Sequence, residues 1–426
     1  MLKPNSWGKL AALLIAFTLV LPDHAHAYSV LTHEAIIDSA WNSHLVPLLR
    51  SRFPHASDDD LLKAKSYAYG GSIIQDMGYY PHASKFFSDL THYFRSGDFV
   101  IALIKDSQNI NDYAFALGAL AHYSADNNGH HLATNLAVPM LYPKLQKKYG
   151  NTVTYEDDPV AHVKTEFGFD VLEVAQGRYT AENYHNFIGF NVSLPLIERA
   201  FQDTYGLDLK SLVKDEDRAA NSYRNTVSGL LPKATRIAWA LKKDDIQKDM
   251  PGITRKKFLY NLSRADYDKE WGGNYQQPTA ADKFLAFLTR LLPTVGPLRF
   301  LEFRTPTPAA EKLYENSFNV SLDRYKGFLN QLSNNQLQLP NSNFDVGEIT
   351  TRGQYRLNDS TCAELLDKLS VNHFASASPD LRTKLIVYFS SPDNSPPKKV
   401  DAKTNLKIQE QIRLLRESSV ATSANL

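Results

Sequence analysis

Apolar residues recur every three to four positions along most of this chain, the interval that stacks side chains on one face of an α-helix. Few stretches show the two-residue alternation of a half-buried strand. The expected fold is therefore all-α, a multi-helix bundle with an additional, mostly helical C-terminal portion. One helix is expected from about Thr32 to Trp41, with His33, Ile36, Ile37 and Ala40 on one face. A second should start at Asn111 as N-cap, carry Phe115, Leu117 and Leu120, and end near Asp126, where Asn127-Asn128-Gly129 interrupts it. Asp158-Pro159 reads as a cap followed by proline at the first helical position, opening a helix that Gly177 closes. Further amphipathic runs fall near residues 193–206, 218–243 and 280–292.

Residues 1–27 read as an export signal. Lys3 and Lys9 give a basic start, Leu10 to Leu21 is apolar apart from Thr18, and Ala25-His26-Ala27 is an A-x-A cleavage site. The apolar run is well short of the roughly 18 residues that span a bilayer. The mature chain is thus expected to begin at Tyr28 and to be exported, to the periplasm or beyond. Pro251-Gly252 suggests a seam. It divides a domain at residues 28–250 from a helical accessory region at 251–390, with a flexible polar tail at 391–426 in which Leu406 to Leu415 could form a short basic helix. A net charge of +1 with 22% charged residues shows no global bias toward nucleic acid or an anionic surface. The single cysteine, Cys362, rules out an internal disulfide framework, so packing or metals must stabilise the fold.

The chain carries 13 histidines, and several sit with carboxylates. In "AHYSAD" His122 and Asp126 are four residues apart, and in "AHVKTE" His162 and Glu166 repeat that spacing. On a helix this step puts both side chains on one face, where they can grip a divalent ion from a rigid base. One such pair also occurs as a solvated surface partnership. Two pairs beside strong apolar stripes point to a site. Further candidates are His130 and His131 in "GHHLATN", Asp76 at the end of an apolar run, and His92 in "DLTHYF". Each alone also reads as a hydrogen-bonded core residue or a helix cap. Together they form a set of donors suited to zinc. His44, His55, His82, His185 and His373 read as bystanders.

In this order, with His33 five residues after the expected cleavage, the chain resembles the zinc-dependent phospholipase C family, which shares its helical fold with the fungal single-strand nucleases. The resemblance runs from residue 28 to about 170 in its motifs and to about 245 in its helices. It implies three zinc ions. One would be held by Asp76, His92, His122 and Asp126, and a second by the amine and carbonyl of Tyr28, by His33 and by a shared oxygen of Asp126. The third would be held by His130, His162 and Glu166, with His131 as the rival to His130. Tyr28 stands where the family usually has tryptophan, and the gap after Asp126 is shorter than the family's.

The implied activity is phosphodiester hydrolysis of phospholipids by a metal-bound hydroxide attacking phosphorus, with Asp76 as general base or orienting group. The alternatives are a single-strand-preferring nuclease on the same fold and a metal-stabilised binding protein without turnover. Tyr79, Tyr80, Pro81, Phe86 and Phe87 could form an apolar rim for a lipid, stack on bases, or simply fill the core.

Overall fold

The computed structural model describes residues 30–80, 82–175, 190–213, 215–222, 304–390 and 402–423. In chain order the helices are α1 (Val30–Ala40), α2 (Val46–Arg52), α3 (Asp58–Gly71), α4 (Lys85–Tyr93), α5 (Ser96–Asp106), α6 (Ile110–Gly129) and α7 (Asn135–Leu141). They continue with α8 (Pro143–Tyr149), α9 (Pro159–Ala175), α10 (Leu194–Tyr205), α11 (Pro308–Ser333), α12 (Arg356–Ser370), α13 (Pro379–Ser390) and α14 (Ala402–Ser423). A π turn at Trp41–Leu45 joins α1 to α2, and another at His130–Thr134 joins α6 to α7. Ile74–Tyr79 forms a 3-10 helix. Among the described residues there is no β-strand, and one isolated antiparallel bridge pairs Asn343 with Glu348.

Local chemistry sets the helix starts. Ser57 and Asp60 form a reciprocal capping box at α3. Thr307 Oγ1 accepts from the Ala310 amide at 3.3 Å, with Pro308 at the first position of α11. Asp158 Oδ1 accepts from the Ala161 amide at 2.9 Å ahead of Pro159, the cap expected for α9. The end of that helix at Gly177 lies outside the described residues, as do the signal segment, residues 223–243 and residues 280–292.

Helix α6 departs from expectation at both ends. Its cap is Asn109, whose Oδ1 takes the amides of Asn111 and Asp112 at 3.0 Å each. Asn127-Asn128-Gly129 does not interrupt it. Asn127 Nδ2 donates back to the Tyr123 carbonyl at 2.8 Å and Asn128 Nδ2 to that of Ser124 at 2.6 Å. Their amides therefore lie along the helix instead of competing with it. The helix runs to Gly129 and on into the π turn.

Helix α6 is buried on nearly every face, which marks it as the central element. Against α3 the approach is so close that a Cβ at Gly118 would run into the Ala68 carbonyl, and one at Gly71 into the Phe115 carbonyl. Helix α11 covers another side of α6. Tyr325 donates to the Leu117 carbonyl at 3.0 Å and Ser124 to that of Ser321 at 2.8 Å. One continuous apolar core holds Leu117, Phe87 and Phe201 together with Leu329, Phe344, Leu366 and Leu415. The described residues after 304 thus share this apolar core with the first domain. Within the tail, Ile408, Ile412 and Leu415 recur on one face of α14 and are buried, giving that helix something to pack with. No helix among the described residues is long and apolar enough to cross a membrane.

Candidate metal centre

Six elements converge on one buried volume. Helix α1 contributes His33, the 3-10 helix Asp76, the last turn of α4 His92, and α6 both His122 and Asp126. The π turn after α6 adds His130, and α9 adds His162 and Glu166. All eight are at most 3% exposed. Because α6 runs past Asp126, His122, Asp126 and His130 follow at successive four-residue steps and share one stripe. This gives His130 its place over His131, which sits half-buried beside Gly347 and outside the cluster.

Asp76, His92, His122 and Asp126 form one group of possible ligands, and His130, His162 and Glu166 a second. In the first, His92 Nε2 is 3.2 Å from Asp76 Oδ1 and 3.5 Å from Asp126 Oδ2, and His122 Nε2 is 3.1 Å from Asp126 Oδ2. The other oxygen of Asp126 faces His33 Nε2 at 3.5 Å, so this carboxylate presents one atom to each side. In the second, Glu166 Oε1 is 2.8 Å from His162 Nδ1 and 3.9 Å from His130 Nε2. With zinc–nitrogen and zinc–oxygen bonds of about 2.0–2.1 Å, the edge of a tetrahedral ligand set is about 3.3 Å. The measured spacings scatter around that edge.

Hydrogen bonds on the far side of each ring decide which nitrogen points inward. His92 Nδ1 lies 2.7 Å from the Ser88 carbonyl and His122 Nδ1 3.0 Å from that of Ser72. A carbonyl only accepts, so both Nδ1 atoms carry the proton and both Nε2 lone pairs face the centre. His162 is turned the other way. Its Nε2 donates to Asn135 Oδ1 at 2.6 Å, while Asn135 Nδ2 donates to the Asp345 carbonyl at 2.7 Å, leaving Nδ1 inward. His130 Nδ1 donates to Asp345 Oδ1 at 3.0 Å.

These donors fit a divalent cation. The inward nitrogens of His92, His122 and His162 and both oxygens of Asp76, Asp126 and Glu166 are buried with no hydrogen-bond donor. All are acceptors, and a cation satisfies a convergence of acceptors that hydrogen bonds cannot. The electrostatics agree. Burial, helped by neighbouring His122, lowers His33 to about 4, and burial lowers His162 to about 3, so both rings are neutral as ligation requires. Burial also opposes a proton on His92, but the Asp126 and Asp76 carboxylates facing its Nε2 outweigh it and raise that group to about 10. Burial, followed by repulsion from Asp126 and Asp76, pushes Glu166 well above the carboxylate range. A positive ion at the centre relieves both conflicts.

Two contributors escaped the sequence reading. Asp345 is 1% exposed. It lies 3.0 Å from His130 Nδ1 and 3.6 Å from His162 Nε2, and its Oδ2 accepts from the Tyr155 amide at 2.9 Å and from the Tyr355 hydroxyl. Burial works against its charge, but the His130 hydrogen bond and the nearby His162 hold it below its usual value. Phe344 packs edge-on to His92 at 5.1 Å and lies 6.0 Å from His122. Neither residue sits in a periodic pattern that would have flagged it.

Of the aromatics expected near the site, Tyr79, Tyr80, Phe86 and Phe87 are all buried in the core, with Tyr79 5.9 Å from His92. Pro81 and Tyr28 lie outside the described residues, as does His185. His55, His82 and His373 are exposed and His44 is half-buried, none of them in the cluster.

A family model described as zinc dependent phospholipase C matches residues 32–212. Its span takes in every clustered side chain from His33 to Glu166 and stops well before Asp345. No curated protein and no solved structure matches the chain.

Proposed function

From the match of residues 32–212 to the zinc-dependent phospholipase C family model, we propose that this chain is an exported zinc-dependent phosphodiesterase hydrolysing phospholipids. Asp76, His92, His122 and Asp126 would hold one ion, and His130, His162 and Glu166 another. His33, Asp126 Oδ1 and the freed amine and carbonyl of Tyr28 would hold a third. When bound, zinc supplies Lewis acidity that neutralises phosphoryl charge and acidifies water near neutral pH.

The chain's own residues do the rest. Asp126 splits its two oxygens between His33 on one side and His92 and His122 on the other, which holds the two groups of ligands at a fixed separation. Asp76 is anchored beside His92 and has no hydrogen-bond donor on either oxygen. It can orient the attacking water or take its proton as the new phosphorus–oxygen bond forms and the bond to the lipid oxygen breaks. The carbonyls of Ser72 and Ser88 keep two imidazoles from turning during that exchange.

The observation that carries this reading is the convergence of buried, donor-less nitrogens and carboxylate oxygens at tetrahedral-edge spacing. The test is elemental analysis of the processed protein, paired with incubation against phosphatidylcholine vesicles and single-stranded DNA. Bound zinc with turnover of phosphatidylcholine that Asp76→Asn abolishes is the expected result. Full zinc occupancy with no hydrolysis of any phosphodiester would make the chain a metal-stabilised binding protein, and preference for the DNA would make it a nuclease.

A further inference from the structure

Four imidazoles of the centre have an acceptor behind them. For His92, His122 and His162 these are the Ser88 carbonyl, the Ser72 carbonyl and the Asn135 amide oxygen, all within the family-matched span. The fourth acceptor differs in charge and in origin. It is the carboxylate of Asp345, which reaches His130 from a turn in the C-terminal region. That turn is itself tied down: the Asp345 amide bonds Asn343 Oδ1 at 3.0 Å, and the Phe344 amide donates to the His92 carbonyl at 3.0 Å. The other carboxylate oxygen is held by the Tyr155 amide and the Tyr355 hydroxyl. Asp345 thus cannot swing away from the ring it contacts.

We propose that Asp345 is a positioning residue for the ion held by His130, His162 and Glu166: its carboxylate fixes the proton of His130 on Nδ1, aims Nε2 at the ion and strengthens that nitrogen as a ligand. The proposal deepens the functional reading above and rests on it. A carboxylate behind a ligating imidazole fixes its tautomer and raises its basicity, and losing such a partner typically costs 10–100-fold in metal affinity. The site of His130, His162 and Glu166 is accordingly completed by chain that the family model does not cover.

The test is zinc titration of the full processed chain in competition with a chromophoric chelator, for the wild type, Asp345→Asn, His162→Ala and the double variant. Asp345→Asn should weaken one class of ion by roughly 10–100-fold and leave the remaining affinities alone. In the His162→Ala background, where that ion is already lost, adding Asp345→Asn should change nothing further. Wild-type titration by Asp345→Asn, or equal weakening in both backgrounds, would overturn the proposal. The underlying reading fails separately, if His162→Ala binds as much zinc as the wild type. Should Asp345→Asn not fold, nitrogen-15 histidine NMR of the zinc-loaded wild type decides. Ligation of His130 through Nε2 with a proton on Nδ1 supports the proposal, and ligation through Nδ1 refutes it.

Discussion

Truncating Phe344 to alanine should destabilise the zinc-loaded protein by about 4 kcal/mol. The ring is 0% exposed, and burying a phenylalanine is worth roughly 1.5–3 kcal/mol. It also makes two edge-on contacts, with His92 at 5.1 Å and Tyr123 at 5.4 Å, each adding about 0.5–1.5 kcal/mol. The sum agrees with the 3–5 kcal/mol typical of a buried Phe→Ala change. Phe344→Leu, which keeps most of the volume, should cost less than about 1.5 kcal/mol. Urea unfolding of both variants at saturating zinc measures the difference. Chelator-driven zinc release should also be faster in Phe344→Ala, because water gains a path to the face of His92. A loss below about 1 kcal/mol with unchanged zinc release would show that the C-terminal region does not wall the metal centre, and the packing argument would be wrong.

Other outcomes follow from the same geometry. Asp126→Ala should lower zinc content by more than one ion per chain, since its two oxygens face different nitrogens; loss of a single ion on elemental analysis would refute the shared role. A form that retains residues before Tyr28 should bind less zinc and lose activity, because the terminal amine becomes an amide. Unchanged zinc content and turnover in an uncleaved protein would count against that. Cys362 is fully buried, burial pushes its thiol well above the ordinary range, and it is the only cysteine, so native protein at pH 8.5 should resist iodoacetamide while urea-unfolded protein reacts. Rapid native alkylation would mean that α12 opens readily.

The parts of the centre visible in sequence were those encoded by local spacing. His122 with Asp126 and His162 with Glu166 are four apart on helices, so their proximity is a property of the helix itself. The choice of His130 over His131 needed the knowledge that α6 continues through Asn127-Asn128-Gly129. That continuation depends on burial and on side-chain amides donating to carbonyls one turn back, which a propensity for turns does not express. Asp345 and Phe344 belong to the opposite case. Their partners, His130 and His92, are more than two hundred residues away in the chain, and only the packing of α11 and α12 onto the core brings them there. The all-helical class was legible for the reason the helices are stable, since each presents an apolar stripe to a shared interior. The aromatics after Asp76 were open between rim and core, and their burial places them in the core.

The glycine contact between α3 and α6 has a reach beyond helix packing. A methyl group at Gly118 would press on the Ala68 carbonyl and on the Ser72 amide, and Ser72 is the residue whose carbonyl holds the outer nitrogen of His122. The position of that imidazole within the ligand cluster is thus inherited from how near two backbones lie, one turn away. Swapping either glycine for alanine acts as a jack under the ligand cage, and its first symptom should be misplaced metal, with unfolding only a later one.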